Sequence, residues 1–366
     1  MQSVKQTLVL VAVGLIGVCL DGVASPARAS VVLQYHHVSD TTPAATSVTP
    51  DRFREHMDYL AEHDFEVVSL EALVEARRDG KSLPDRTIAI TFDDAYSSVY
   101  TEAFPLLKKR DWPFTVFVNT VPLDQNKSGF ASWAQLKEMA NNGAIIANHT
   151  THHNHLQRRR DGEGEKAWRQ RIEREVVEAE ARIEEETGQS HKIVAYPYGE
   201  YNNEVKTLLK SLGFVAFGQQ SGPVGEHSDL QALPRFPFGG AYGDLEDFAT
   251  KVNTRPMPID SVSLYADMGR QSPLKEVVVP AGQRPVLAIT LSEKALAERI
   301  NCFASGQGAI ETRVEGETLI TRANDALRPG RVRYNCTASS GERGRFYWFS
   351  QQWLVTDQEG RWVHEQ

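Results

Sequence analysis

A β-branched and apolar run, residues 87–92, ends abruptly in two adjacent carboxylates, Asp93 and Asp94. A buried strand that ends in acidic residues delivers them to the C-terminal edge of a parallel sheet, where α/β folds usually perform chemistry. A second buried run, residues 144–147, is followed by His149 and, four residues later, His153. One carboxylate and two imidazoles at two strand ends predict a three-ligand site for a divalent metal, with one position left open for water.

Short apolar runs alternate with helix patterns from residue 30 to about residue 260. Capping signals begin several helices, such as Thr49 before Pro50 and the capping box of Ser132 and Gln135. This alternation predicts an α/β fold with a parallel sheet. Polar residues at the ends of several strands favour a parallel β/α barrel, and a doubly wound sheet remains the alternative. No glycine-rich phosphate loop follows the first strand, which disfavours a nucleotide-binding sheet.

The first 29 residues have the pattern of a secretory signal peptide. Lys5 precedes an apolar stretch at 8–20, and Ala27 and Ala29 are the small residues that a signal peptidase requires before its cut. The stretch is too short for a comfortable membrane span. We therefore expect cleavage after Ala29, a periplasmic or secreted mature protein, and no stable membrane insertion.

The composition changes after the proline-containing segment 255–258. From about residue 275 the chain has strand-like runs separated by Gly, Asn and Ser turns, with a helical pattern only at 293–299. We therefore expect an N-terminal domain at 30–260, a linker at 261–274 and a small β-rich sandwich domain at 275–366. Cys302 and Cys336 are the two cysteines left after export, and we expect them to form a disulfide.

The formal net charge of this 366-residue chain is −8. A nucleic-acid-binding protein usually has a basic face, so this charge argues against a nucleic-acid partner. The short basic cluster at 158–160 opens a strongly charged helical pattern, and we expect it to be the solvated beginning of that helix. The oligomeric state is left open by the sequence.

Three ordered motifs resemble those of the NodB-like polysaccharide deacetylases, carbohydrate esterase family 4. They are Thr91-Phe92-Asp93-Asp94, His149-Thr150-x-x-His153 and Tyr196-Pro197-Tyr198-Gly199. In that family the first Asp is the general base, while the second Asp and both His bind a divalent metal, usually zinc, in a distorted β/α barrel. The resemblance covers about residues 31–238. It implies that Asp93 is the base and that Asp94, His149 and His153 hold Zn²⁺, although such ligands also accept Co²⁺ or Ni²⁺.

This sequence departs from the commonest family pattern at two points. The third motif usually begins with an Arg that positions the catalytic Asp, and Ala195 stands in that place. The segment Leu233 to Pro237 offers Arg235 instead, with a salt bridge at the barrel edge as the alternative role of that residue. A downstream His that usually supplies the general acid has no clear match after Phe238.

The segment Tyr35-His36-His37-Val38 offers a replacement for the missing acid. It resembles the Tyr-His-x-Val segment of the poly-N-acetylglucosamine deacetylase branch, in which this His is the acid. The resemblance points to His36, and the alternative is a buried structural imidazole. If His36 is not the acid, His37 and His227 are the next candidates.

Two further features allow more than one interpretation. The backbone N–H of Tyr198 is a candidate donor to an oxyanion, or the Pro-Tyr-Gly segment is simply a tight turn. The aromatic run 346–349 and Trp353 suggest glycan stacking. Consecutive strand residues alternate between two faces, however, so at least half of these rings should be core or interdomain contacts.

These observations predict an exported metal-dependent hydrolase that removes N-acetyl groups from a GlcNAc-containing polysaccharide or oligosaccharide. Hydrolysis of an amide needs an activated water, a Lewis acid and an acid for the leaving amine, and the predicted site offers all three. The same machinery would cleave O-acetyl esters, so a polysaccharide O-acetyl esterase is the second hypothesis. A non-catalytic glycan-binding protein is the third, although it would have no need of all four motif residues.

Overall fold

A computed structural model describes residues 29–81 and 83–363. Residues 1–28, which hold nearly all of the predicted signal peptide, lie outside the described residues. In the described ranges, no helix is both long enough and apolar enough to cross a membrane.

The N-terminal region alternates strands with helices, as predicted. Its strands are β1 (Ser30–Tyr35), β2 (His37–Val38), β3 (Ser47–Val48), β4 (Glu66–Val67), β5 (Thr87–Phe92), β6 (Phe114–Val118), β7 (Ala144–Asn148), β8 (Ile193–Ala195), β9 (Val215–Phe217) and β10 (Phe236–Pro237). Its α-helices are α1 (Pro50–Glu62), α2 (Leu70–Arg78), α3 (Phe104–Lys109), α4 (Thr120–Asp124), α5 (Trp133–Ala140), α6 (Glu165–Thr187), α7 (Asn203–Ser211) and α8 (Leu245–Val252). Short 3₁₀ turns lie at Ala44–Thr46, Pro197–Gly199 and Gly240–Tyr242, and a π-helical turn at Val99–Ala103.

Eight strands form one parallel sheet in the order β10-β1-β5-β6-β7-β8-β9, with β4 beside β5. The two end strands of this sheet are β9 and β10, and the segment between them brings the two ends of the sheet together. Leu233 forms a parallel bridge with Phe217 of β9, and β10 then pairs with β1. This arrangement confirms the predicted distorted β/α barrel and argues against the doubly wound alternative.

The two faces of the strands have different neighbours because strand side chains alternate with a period of two. On one face, Leu33 and Ile90 belong to an apolar core that also contains residues of α1 and α5. On the other face, Val32 and Ala89 pack against α2. The second face continues in polar residues toward the C-terminal strand ends, and those residues are Gln34, Thr91, Asp93 and His149, all buried. The alternation therefore carries the polar residues of several strands to one end of the sheet.

The predicted capping signals begin their helices. The Thr49 hydroxyl accepts a hydrogen bond from the Arg52 N–H at the start of α1. Ser132 and Gln135 form a reciprocal capping box at α5. The long helix α6 ends at Gly188, whose φ of 76° is the left-handed conformation that glycine adopts without strain.

The C-terminal region is β-rich and contains two main sheets, which is consistent with the predicted sandwich. Its elements are β11 (Arg255–Pro256), β12 (Ile259–Tyr265), β13 (Val278–Pro280), β14 (Val286–Leu291), α9 (Lys294–Ala297), β15 (Asn301–Ala304), β16 (Gly308–Ile310), β17 (Thr312–Glu315), β18 (Thr318–Arg322), β19 (Gly330–Ser339) and β20 (Phe346–Thr356). One sheet has the order β11-β20-β19-β15-β16 with β13 beside β20, and the other has the order β12-β14-β18-β17.

Both C-terminal sheets contribute to one apolar core. Strand β14 of the four-stranded sheet supplies Leu287, Ile289 and Leu291, which alternate along the strand and so share one face. Strand β20 of the other sheet supplies Trp353, which is fully buried. The two sheets therefore pack face to face, as in a sandwich.

The segment 261–274, expected to be a linker, is only partly one. Strand β12 occupies Ile259–Tyr265 and pairs antiparallel with β14 over its whole length. The chain therefore enters the C-terminal sheets earlier than the composition suggested. Hydroxyl and acidic residues in β12 concealed it, since much of this strand is solvent-accessible and lacks an apolar run.

The predicted disulfide is present between Cys302 and Cys336. These residues face each other directly across the antiparallel pair of β15 and β19. Both are buried in the C-terminal core. The bridge therefore joins two neighbouring strands of the same sheet and closes a segment with a sequence separation of 34 residues.

The aromatic run 346–349 lies mostly at packed positions. The ring of Trp348 meets that of Phe236 edge to face, with 5.2 Å between centroids, so it joins the C-terminal sheet to the barrel. Tyr347 and Phe349 pack against the C-terminal core that contains Trp353. Of the four residues in this run, Phe346 alone is exposed. These positions agree with the expectation that at least half of the rings are core or interdomain contacts.

Candidate metal centre and active site

The two carboxylates at the end of β5 reach the same site because the strand stops there. Asp94 and Ala95 have φ values of 71° and 57°, so the chain turns sharply after Asp93. Adjacent residues on a regular strand would point to opposite faces. The left-handed turn removes that restriction. Asp93 is fully buried and Asp94 is nearly so.

Asp93 is held on both carboxylate oxygens. Arg235 donates from Nη1 to Oδ1 at 2.6 Å and from Nη2 to Oδ2 at 2.8 Å. Gln34 also donates to Oδ2, at 2.6 Å. The guanidinium is itself fixed, since its Nε donates to the Gly218 carbonyl at 3.0 Å. This bidentate arrangement fixes the plane of the Asp93 carboxylate.

The electrostatic surroundings keep Asp93 ionised. Burial alone would raise the pKa of its carboxyl group, because a low-dielectric environment disfavours the charged form. The Arg235 guanidinium acts in the opposite direction and leaves the pKa of Asp93 well below its usual range. Asp93 is therefore a carboxylate at neutral pH.

His149 and His153 follow β7, as predicted. The Nδ1 atom of His149 lies 2.8 Å from the backbone carbonyl of Ala195, which directs Nε2 toward Asp94. The backbone N–H of His153 donates to the Thr150 hydroxyl at 3.1 Å. Thr150 and His153 both have positive φ, 69° and 58°, so the segment forms a tight turn that returns the second imidazole to the first.

The atoms of this triad are arranged for a metal. Asp94 Oδ1 lies 3.5 Å from His149 Nε2 and 3.3 Å from His153 Nε2, and the three ligand atoms lie within 4.8 Å of one another. Two ligands of a tetrahedral Zn²⁺ ion with bonds of about 2.0–2.1 Å would be roughly 3.4 Å apart. Among the described residues, Asp94 Oδ1 is buried without a hydrogen-bond partner. The donor set, its spacing and this buried oxygen fit a divalent cation.

The two histidines are in the form that binds metals. Burial, as the largest cause, lowers the pKa of His149 to about 4 and that of His153 to about 4. Both imidazoles are therefore neutral at pH 7, and a neutral imidazole nitrogen is the metal-binding form. The Ala195 carbonyl next to Nδ1 of His149 is the kind of outer contact that orients a metal-ligating histidine.

His36 lies at the same strand ends. Its Nε2 atom is 3.9 Å from Asp93 Oδ2, and its side chain is 19% exposed. His37 makes a different contact and stacks on Tyr96 with 3.6 Å between ring centroids. His227 is exposed. Of the three histidines considered as the acid, His36 is the one that lies against Asp93.

Two further histidines close to the triad in sequence, His152 and His155, make other contacts. His152 pairs with Glu175 at 2.9 Å. His155 pairs with Glu200 at 2.7 Å and stacks on Tyr198, with 3.8 Å between ring centroids. The structure thus brings His149 and His153 to Asp94 and gives the other two imidazoles carboxylate partners.

Tyr198 lies at the rim of the site. It has a φ of 58° within the Pro197–Gly199 turn. The residue is 37% exposed, and the centroid of its ring lies 4.6 Å from that of the His153 ring. Its backbone carbonyl accepts a hydrogen bond from Arg331 of the C-terminal region. The motif therefore forms a tight turn beside the triad.

Two contributors to the site were missed by the sequence reasoning. Gln34 is a polar residue that follows the apolar run 31–33 of β1, and its register opposite Thr91 places it on the same face as Asp93. That interruption was a usable signal. Tyr96 stands beside Asp94, and burial together with this carboxylate raises the pKa of the phenol. No comparable signal in the sequence pointed to Tyr96.

Comparison with known proteins agrees with this geometry. Residues 80–217 match the family described as Polysaccharide deacetylase. The chain is 28% identical to a poly-beta-1,6-N-acetyl-D-glucosamine N-deacetylase of Escherichia coli K12, over 63% of this chain and 39% of that protein. It is also 28% identical to the enzyme of that name from Staphylococcus aureus MRSA252, over 52% of this chain and 67% of that protein. The chain thus spans about two fifths of the length of its Escherichia coli relative.

A solved structure shows the same fold. The Streptococcus pyogenes deacetylase PplD, in complex with acetate, superposes with a TM-score of 0.56 at 21% identity, over 62% of this chain and 99% of that one. The family match, the ordered motifs and the barrel that carries them lead to one assignment. Residues 80–217 match a polysaccharide deacetylase domain, of the NodB-like kind in carbohydrate esterase family 4, and the chain is similar to poly-beta-1,6-N-acetyl-D-glucosamine N-deacetylases.

Proposed function

We propose that this protein is an exported, metal-dependent N-deacetylase of a GlcNAc-containing glycan. The observation that carries the proposal is the triad of Asp94, His149 and His153, in which Oδ1 of Asp94 is buried without a hydrogen-bond partner. A second carboxylate, Asp93, lies next to the triad but is held by Arg235 instead. The names of the Escherichia coli and Staphylococcus aureus relatives favour a β-1,6-linked GlcNAc polymer as the first substrate to test.

Asp94, His149 and His153 would hold the divalent ion, with Zn²⁺ expected and Co²⁺ or Ni²⁺ accepted by the same donors. When bound, the ion supplies Lewis-acid polarisation of the acetyl carbonyl and activation of water. The protein's part is to keep the two imidazoles neutral by burial, while the Ala195 carbonyl fixes the direction of His149.

Asp93 is proposed to be the general base. Three donors occupy its oxygens, two from Arg235 and one from Gln34. An ionised carboxylate has about four acceptor positions, so one remains to accept a proton from water. Arg235 performs the positioning role that the commonest family pattern gives to an Arg at position 195, where this chain has a buried Ala195.

His36 is proposed to be the general acid. Cleavage of an amide requires protonation of the departing nitrogen. His36 lies beside the carboxylate of Asp93 and is partly accessible to solvent, so a substrate can approach it. The backbone N–H of Tyr198 is proposed to donate to the oxyanion that forms on the acetyl carbonyl.

Release of acetate with and without a chelator tests the proposal. The mature protein, residues 30–366, is incubated with β-1,6-linked GlcNAc oligomers, chitin oligomers, peptidoglycan fragments and an O-acetylated glycan. We expect free amines and acetate in equal amounts from at least one of them, loss of activity with chelator and recovery with Zn²⁺. Release only from an O-acetylated glycan would identify an esterase. Binding without release would identify a glycan-binding protein, and either result would overturn the proposal.

A further inference from the structure

The C-terminal sheet reaches the rim of the triad through strand β19. Arg331 donates from Nη1 to the backbone carbonyl of Tyr198 and, at 2.8 Å, to the side-chain oxygen of Gln219. Two residues along the strand, Arg333 donates to the backbone carbonyl of Gln219 at 2.9 Å. Alternate residues of a strand share a face. The two arginines therefore form one contact surface against residues 198 and 219 of the barrel.

The turn that receives this contact is conformationally demanding. A non-glycine residue with the φ of Tyr198, 58°, occupies a sparsely populated conformation and keeps it only when its surroundings hold it. Within the turn, the Gly199 N–H donates to the Tyr196 carbonyl at 2.8 Å. The contact from Arg331 reaches the turn from outside the barrel. It is therefore one of the interactions that hold Tyr198 in place.

Close packing at Gly199 shows that this contact is specific. A Cβ atom built on Gly199 would lie 2.5 Å from Gln219 Cβ and 2.8 Å from Arg331 Nη1. Both distances are shorter than the non-bonded contacts that Cβ atoms make in proteins. The turn, Gln219 and Arg331 therefore leave no space for a side chain between them.

The C-terminal region is attached to the barrel by other contacts as well. Arg345 forms a bidentate pair with Asp85 and donates to the Asn253 carbonyl at 3.0 Å. Trp348 packs on Phe236. Loss of Arg331 alone would leave these contacts in place, so the effect of Arg331 on the turn can be measured separately from detachment of the domain.

We propose that Arg331 is a positioning residue that holds the Tyr198 turn beside His153, so that the C-terminal domain completes the rim of the active site. This inference rests on the proposed deacetylase function. The role that it gives the β-rich domain is to position a turn of the active site, which differs from binding glycan at a separate site. A shift of the turn would move the Tyr198 N–H and the ring that lies against His153.

The test compares Arg331→Met with Arg331→Lys and with the control Arg313→Met. Arg313 lies in the same domain and pairs with Glu315 of its own strand. We expect Arg331→Met to lower kcat by about tenfold to a hundredfold, the scale of a small misplacement of catalytic groups, with a smaller change in KM. Arg331→Lys keeps a cationic donor and should recover part of the loss. Metal content and the thermal unfolding midpoint should match the wild type.

Amide hydrogen exchange gives a second readout that does not depend on activity. The amides of residues 198–200 should exchange faster in Arg331→Met than in the wild type, while those of Arg313→Met should not. Unchanged exchange with unchanged kcat would overturn the inference, as would an equal loss of activity in the control. A wild type that deacetylates no glycan would refute the proposed function, and the exchange result would still decide whether Arg331 holds the turn.

Discussion

Arg235 binds both carboxylate oxygens of Asp93 from 142 positions away in the sequence. Both side chains are fully buried. The pair joins the end of β5 to the segment that leads into β10, so it links the site to the closure of the barrel. A buried ion pair depends on both partners, because either charge alone would be left in a low-dielectric interior.

Replacement of Arg235 should therefore destabilise the protein strongly. Arg235→Met leaves the buried Asp93 charge without its partner and should lower the free energy of unfolding by about 3–5 kcal/mol. Adding Asp93→Asn to that variant should recover part of the loss, because the uncompensated charge is then removed. Denaturant unfolding of the single and double variants measures both effects. The exposed ion pair of Arg54 with Asp51 provides the control, and Arg54→Met should change stability little. A double variant less stable than Arg235→Met would contradict this account.

Metal binding should depend on His153 but not on His152. His153→Ala removes one of three ligands and should abolish both stoichiometric metal and acetate release. His152→Ala is the matched control, since His152 lies one residue away and pairs with Glu175. Elemental analysis of the purified variants after dialysis measures the metal. One equivalent of tightly bound metal in His153→Ala would exclude that residue from the ligand set.

Asp93 should affect turnover more than metal content. Asp93→Asn keeps the shape of the side chain but removes its basicity, and turnover should fall by about a hundredfold or more. Metal content should remain near that of the wild type, because Asp94 and not Asp93 lies against the two imidazoles. Steady-state kinetics and elemental analysis on the same preparation separate the two effects. Near-normal turnover in this variant would eliminate Asp93 as the base.

The disulfide should stabilise the folded protein. With a sequence separation of 34 residues between Cys302 and Cys336, closing the loop should contribute about 3–4 kcal/mol by restricting the unfolded chain. Cys302→Ala combined with Cys336→Ala should therefore lower the unfolding midpoint, and a reducing agent should do the same to the wild type but not to this variant. Two titratable thiols in the native mature protein would show that the bridge does not form.

The sequence was informative where chemistry follows directly from strand ends. Asp94, His149 and His153 each come immediately or shortly after a buried apolar run, so their convergence at one edge of the sheet could be predicted. Gln34 lies inside a strand instead of after its end. It could have been predicted only from the alternation of side chains along the strand, which places Gln34 on the same face of the sheet as Asp93.

Features that depend on packing between regions were beyond the reach of the sequence. The contact of Arg331 with Tyr198 could not be predicted, because it depends on how two separately encoded regions pack. Most of strand β12, residues 261–265, was assigned to a linker for a related reason. Its exposed, polar sequence lacks an apolar run, and only its pairing with β14 identifies it as a strand.

The role of His36 can be tested by comparing two kinds of leaving group. An amide needs its leaving nitrogen protonated, whereas an activated acetate ester has a leaving group that departs without help. His36→Ala should therefore reduce N-deacetylation far more than hydrolysis of an activated acetate ester, with metal content unchanged. His37→Ala is the neighbouring control, since His37 stacks on Tyr96 instead of lying against Asp93. Equal losses on both substrates would assign His36 a structural role, and no loss on either would transfer the acid to another residue.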